Sequence, residues 1–234
     1  MELVRGEDVV VTSNVWVSYS GADKPALRGV TVSLGLGKLV LVTGPNGAGK
    51  TTLLETFLGL LRPFYGEARL FGIDTRSRRI LRARRLCSYV PQDFMRPPYD
   101  SYTVRQVVAM GLASHKTVLE PLTGEEEARI TSVAEALGIE KLMDKPVGHL
   151  SSGQQQRVFI ARALVRKPRA LFLDEPFSSL DQDSRRLVAD LLREYVDETR
   201  ALAVVVSHDF TYIHGLADKV LVVEDGRITR VEAC

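Results

Sequence analysis

Three short stretches of this chain carry residue types, at spacings, that suit phosphate chemistry. The first is Gly44-Pro45-Asn46-Gly47-Ala48-Gly49-Lys50-Thr51, followed by Thr52. It fits the GxxxxGK(S/T) spacing and lies between an apolar run and a helical one. Glycines let the backbone wrap closely, so its N–H groups point at phosphate oxygens. Lys50 would reach the β- and γ-phosphates of a nucleotide, and the Thr51 hydroxyl would hold Mg²⁺. The second stretch is Leu171-Phe172-Leu173-Asp174-Glu175, an apolar strand ending in two carboxylates. Beside phosphates, Asp174 is best used on Mg²⁺, through water. The third is Leu150-Ser151-Ser152-Gly153-Gln154. A Ser/Gly-rich helix start is a second anion site. One chain has one phosphate loop, so that second site needs phosphate from elsewhere.

Those side chains need a scaffold. Val30-Thr31-Val32-Ser33-Leu34 alternates with period two, Gly35-Leu36-Gly37 turns, and Lys38 to Thr43 is a nearly continuous apolar strand. Such a strand is buried on both faces, as in a parallel sheet. Leu54, Phe57, Leu58 and Leu61 then sit at i, i+3, i+4 and i+7, which predicts a helix ending before Pro63. Residues 93–165 read as helical. Thr123 and Glu126 have capping-box spacing, Ile130, Val133, Ala134 and Leu137 form an apolar stripe, and Gly138 suits the stop. Ser151 opens a helix that runs to Lys167-Pro168. Alternation then returns: strand 170–174, a helix with Leu187, Val188, Leu191 and Leu192 inward, strand 202–206, a short helix, and a hairpin turning at Asp225-Gly226. The expectation is one α/β domain, 1–234. Its core comes from 1–92 and 166–234, and 93–165 form a helical subdomain.

Composition narrows the class. A chain of 234 residues with 45% hydrophobic and 26% charged residues is ordinary for a soluble globular protein. A net charge of +2 is too small to argue for nucleic acid. Apolar runs such as 201–206 fall short of the roughly 18 residues a membrane helix needs. The first residues, MELVRGEDVVV, lack a signal-peptide layout. Cys87 and Cys234 have no metal-ligand spacing and read as structural or incidental thiols of a reducing compartment. Work at a membrane would be done from the cytoplasm and through a partner. Only two asparagines occur, Asn14 and Asn46, beside plentiful arginine, as thermophile proteins or base-composition bias would give.

In their order, these motifs resemble the ATP-binding cassette (ABC) ATPases, and the resemblance spans residues 19 to 208. It implies an α/β P-loop NTPase core with an N-terminal antiparallel β subdomain and a helical insertion. It implies ATP and Mg²⁺, and two ATP molecules held between head-to-tail copies. Ser151 and Gly153, with Gln154, would meet the γ-phosphate bound by the partner chain. Glu175 would orient and deprotonate the attacking water. Gln92, in SYVPQ, would contact Mg²⁺ and water and begin the insertion. His208, after VVVS, would contact the γ-phosphate, and Asp181 would cross the dimer interface. Lys50, Gln92, Glu175 and His208 are then the catalytic set, and Thr51, Gln92 and Asp174 the metal set. Tyr19 sits where the family stacks an aromatic residue on adenine. Trp16 competes for that place, and on an alternating strand the two face opposite sides, so only one would reach the base. The choice of ATP over GTP rests on the resemblance. Ser152 departs from the common LSGGQ, and its Cβ would crowd the sandwich if the backbone needed positive φ.

The stretch after Gln92, with the later SGQQQRVFIARAL, resembles the ATPase subunits of zinc/manganese/iron-type metal-cation importers; siderophore and cobalamin importers share much of the pattern. The resemblance implies a membrane permease as direct partner, a solute-binding protein as indirect partner, and a place on the cytoplasmic face of the membrane. Phe94, Met95, Pro97, Pro98 and Tyr99 would line a groove for a permease helix, or pack the insertion onto the core. The run Arg76 to Arg85 holds six arginines, which suit acidic lipid, the permease, or a solvated helix face. DNA-repair members carry a long coiled coil between their motifs, and ribosome-acting members join two cassettes. Neither feature is present here.

Overall fold

The apolar run from Leu39 to Val42 lies at the centre of the molecule with protein on both faces. The computed structural model describes residues 8–21, 23–92, 99–113, 121–208 and 211–233. Phe94, Met95, Pro97, Pro98 and Cys234 lie outside the described residues. β1 (Asp8–Val17), β2 (Leu27–Gly35) and β3 (Lys38–Thr43) precede α1 (Lys50–Phe57). Then come β4 (Tyr65–Leu70), the two-residue β5 (Ile73–Asp74), α2 (Ile80–Arg84) and β6 (Cys87–Val90). The helical stretch holds α3 (Val104–Ala109), α4 (Gly124–Ala136) and α5 (Ser152–Leu164). β7 (Ala170–Asp174), α6 (Gln182–Thr199) and β8 (Leu202–Val206) follow, then the hairpin of β9 (Lys219–Glu224) and β10 (Arg227–Ala233).

Two sheets form. An antiparallel sheet has the order β2-β1-β4-β5. A larger sheet has the order β10-β9-β3-β8-β7-β6, parallel except at the edge strand β10. The parallel strands look uniformly apolar because both their faces are covered. The period of two survives inside them. Leu39 and Leu41 point into one core, and Val40 and Val42 into the other. Leu171 and Leu173 likewise oppose Ala170 and Phe172. Val104, Ile130, Ile160 and Leu192 of the four later helices fill the first core. The antiparallel sheet and α1 cover the second, with Val10, Leu34, Leu54 and Phe57. This is the expected α/β class, an antiparallel β layer and a helical insertion on a parallel core.

Local chemistry sets the ends. Thr123 with Glu126 and Ser151 with Gln154 both close capping boxes, and Gly138 ends its helix at φ 61°. The last hairpin turns through Asp225 (φ 47°) and Gly226 (φ 73°), the left-handed pair a two-residue turn requires.

Two expectations need correction. α1 ends before Pro63, as expected, but already at Phe57, because the chain turns at Gly59 with φ 66°, so Leu58 and Leu61 fall past its end; Leu61 stays partly buried from that turn. On α6 the buried residues are Val188, Ala189, Leu192 and Val196, while Leu187 is 40% exposed. At 100° per residue, Leu187 lies roughly 155° from the middle of that arc. Including it shifts the stripe too far toward the N-terminal side.

Candidate nucleotide site

β3 delivers the chain into a loop that only glycine can build in places. Gly44 has φ 142°, and a Cβ there would lie 2.0 Å from the Val223 carbonyl oxygen. Gly49 has φ 101°, and its Cβ would lie 2.7 Å from the Ala26 carbonyl oxygen. The loop is thus pressed against the last hairpin and the start of β2. The Gly226 N–H also donates to the Ala48 carbonyl at 2.9 Å, and Arg28 N–H to the Gly226 carbonyl at 2.7 Å. α1 starts at the loop's end with no side-chain cap, which leaves first-turn N–H groups for an anion. Lys50, mostly buried, spans the loop and donates to the carbonyls of Gly44 (2.8 Å) and Pro45 (3.1 Å).

β7 places the carboxylates opposite. Asp174 is fully buried, and its Oδ2 accepts from the Thr51 hydroxyl at 2.6 Å. Its Oδ1 has no hydrogen-bond partner among the described residues. Burial raises the Asp174 pKa above the usual carboxylate value, and Glu175 adds to this; the Thr51 bond and Lys50 oppose it. Glu175 follows with left-handed backbone, φ 51°, its N–H tied to the Val206 carbonyl at 2.9 Å. Its carboxylate pairs with His208 Nδ1 at 2.8 Å, which leaves Nε2 as the other ring nitrogen. His208 itself comes just after β8, the strand next to β7.

Tyr19, Asn46, Gly47, Gly49, Lys50, Thr51, Thr52, Gln92, Asp174, Glu175 and His208 line one cleft of about 510 Å³. Gly44, Pro45 and Ala48 shape its loop from behind. Tyr19 reaches the cleft for a reason other than strand alternation. β1 ends at Val17, so Tyr19 is past the strand, and its hydroxyl bonds Thr52 Oγ1 at 2.9 Å. Trp16 pairs with Tyr65 on the β1–β4 ladder and donates to Asn14 Oδ1 at 3.1 Å. Mg²⁺ prefers oxygen ligands and shares phosphates. The Thr51 hydroxyl and the unpartnered Asp174 oxygen fit it. Among the described residues no group of three His, Cys, Asp or Glu is placed to hold a metal alone.

Residues 27–178 match the family model described as "ABC transporter". This chain belongs to the ABC transporter family. The "Probable metal transport system ATP-binding protein" of Chlamydia pneumoniae is 34% identical, over 93% of this chain and 81% of that one. The "Sulfate/thiosulfate import ATP-binding protein CysA 1" of Agrobacterium fabrum (strain C58) is 35% identical, over 92% of this chain and 62% of that one. Among solved structures, the dimeric bacterial ABC transporter cassette MJ0796 superposes with a TM-score of 0.85 at 27% identity, covering 96% of this chain and 98% of that one. The chain is an ATPase of the ABC type.

Four of the expected site residues, Ser151, Gly153, Gln154 and Asp181, lie off the cleft. Ser151 caps α5 and Gln154 completes the box; both are outside the cleft lining. A Cβ on Gly153 would lie 2.8 Å from the Ser179 carbonyl oxygen, so this glycine lets α5 meet the loop leading into α6. Asp181 caps α6 at the end of that loop, accepting from Ser184 N–H at 2.8 Å, a bond that lowers its pKa. Ser152 sits in the first turn of α5 with helical backbone. The left-handed conformation that would make its Cβ costly is not adopted. Ala26, which lines the cleft, and the hairpin behind the loop carry no motif that would mark them in the sequence.

Proposed function

We propose that this chain is the ATP-hydrolysing subunit of an importer of metal cations and works as a head-to-tail pair with two nucleotides between the copies. The observation that carries it is the single cleft shared by Lys50, Thr51, Asp174, Glu175, Gln92 and His208. Lys50 and the loop N–H groups bind the phosphates, and Thr51 with Asp174 and Gln92 would hold Mg²⁺. When bound, that ion neutralises charge building on the phosphate oxygens. Glu175, held by His208, accepts the proton of the attacking water, and the ring's remaining nitrogen faces the γ-phosphate. Tyr19 stacks on the base. Ser151, Gly153, Gln154 and Asp181 serve the cleft of the other copy, consistent with their place outside this one and with the dimeric MJ0796 cassette.

No helix among the described residues is long and apolar enough to cross a membrane. A permease therefore supplies the path, and this chain sits on its cytoplasmic face, with a solute-binding protein as indirect partner and no nucleic acid. A groove of about 470 Å³, lined by Tyr89, Tyr99, Met110, Phe159 and Arg162 among others, suits a permease helix. The Chlamydia relative's name favours a metal cargo, and the Agrobacterium name favours sulfate as a second reading. Reconstitution with the permease encoded beside this gene tests both. Zn²⁺ or Mn²⁺, with the solute-binding protein, should stimulate ATP hydrolysis, and Lys50→Ala should abolish it. Stimulation by sulfate alone would assign an oxyanion importer instead.

A further inference from the structure

Around α2 the surface is basic and apolar, with Asp74 at its edge bound to the Arg76 N–H. Ile80 and Ala83 face the core, which turns Leu81 outward at 61% exposure. The turn after α1 closes against this helix. A Cβ on Gly59 would meet Thr75 at 2.9 Å and Ile80 at 3.2 Å, and Arg84 donates to the Leu58 carbonyl at 2.8 Å and to that of Gly59. That turn carries Leu60, 47% exposed, and Arg62. Arg78, Arg79, Arg82 and Arg85 are exposed as well. The guanidinium groups of these five arginines make no ion pair or hydrogen bond among the described residues. No Asp or Glu interrupts the run from Arg76 to Arg85. Nucleotide hydrolysis uses none of them. The patch reaches the edge of the groove, because Arg166, which lines it, donates to the Arg85 carbonyl.

We propose that this surface rests on anionic phospholipid headgroups. The arginines would meet lipid phosphates while Leu81 and Leu60 enter the headgroup layer. A shaped protein segment is better received by the groove bordering the patch, where Arg162 and Arg166 lie beside apolar side chains. The exposed arginines instead fan over two chain segments with apolar side chains between them, which suits a fluid sheet of phosphates. The inference rests on the membrane-side reading above, and on charge complementarity.

Sedimentation of the purified full chain with vesicles tests it. Phosphatidylcholine vesicles enriched in phosphatidylglycerol should carry the protein down, and pure phosphatidylcholine should not. Added salt should release it, and each arginine lost should weaken binding about fivefold. The triple change R78E, R82E and R85E should abolish binding, the glutamine set should reduce it, and Leu81→Ser should weaken it. All should leave basal ATP hydrolysis unchanged, which reports folding. Equal binding to both vesicles, or binding kept by the triple variant, would overturn the proposal. So would absent vesicle binding with lost permease stimulation in the triple variant, which would assign the patch to an acidic partner. Absent vesicle binding beside intact hydrolysis sinks only this inference, whereas absent hydrolysis in the wild type sinks the proposed function.

Discussion

Asp174 shows at the level of one side chain what the cleft costs and why. It is buried, and one oxygen has no hydrogen-bond partner among the described residues. Its pKa is raised, chiefly by burial, above the unfolded value near 3.9. The ionised group therefore destabilises the nucleotide-free fold at neutral pH, and that cost shrinks as pH falls through the folded value and is gone below the unfolded one. Asp174→Asn should melt higher than wild type at pH 7, with the gap closing as pH is lowered, as scanning calorimetry would show. The same variant should lose Mg²⁺-dependent hydrolysis by about a hundredfold or more. Equal melting temperatures across that range would disprove the burial argument. Tyr19 makes a separate prediction. Stacking contributes about 0.5–1.5 kcal/mol, so Tyr19→Ala should raise KM for ATP up to about tenfold with kcat little changed. Steady-state kinetics would check it, and Trp16→Ala should leave KM alone.

Elements decide how much of this was readable in advance. The loop, the strand ending in Asp174-Glu175 and the capped start of α5 each combine chemistry and local geometry in a few consecutive residues, so spacing was enough. The α6 stripe was read one residue too early, because a Leu pair at 187 and 191 outweighs Ala189 in apolarity but not in position. Trp16 and Tyr19 could not be separated by alternation, since strand β1 ends between them. Ala26 and Gly226 meet the phosphate loop only through long-range packing, which no local pattern encodes. Ser152 gives the prediction at this scale. Its backbone is helical, so Ser152→Gly relieves no strain and removes a helix-favouring side chain, at about 0.5 kcal/mol. Nucleotide affinity of the isolated chain should stay unchanged, and only pairing and turnover should move. Altered binding in dilute, monomeric protein would show that this segment does not act across an interface.

The whole molecule is a parallel sheet with a core on each side. Its cleft holds the carboxylates of Asp174 and Glu175, while α5 and α6 begin elsewhere on the surface, joined at Gly153 and Ser179. Glu175→Gln should therefore bind Mg-ATP, fail to turn it over, and accumulate as a dimer by light scattering. A strictly monomeric variant at saturating nucleotide would count against the head-to-tail pair unless the permease restored it. β3, which carries the phosphate loop, has β8 on one side and β9 on the other, and the turn at Gly226 seals the loop from behind. All three of those supports come from residues beyond 201. A ribosome thus makes the loop early and its supports late. Until the final hairpin emerges, a nascent chain has that loop with only Ala26 and the start of β2 to pack against it. A chain that ends before residue 202 is therefore expected to lack a fully formed phosphate loop.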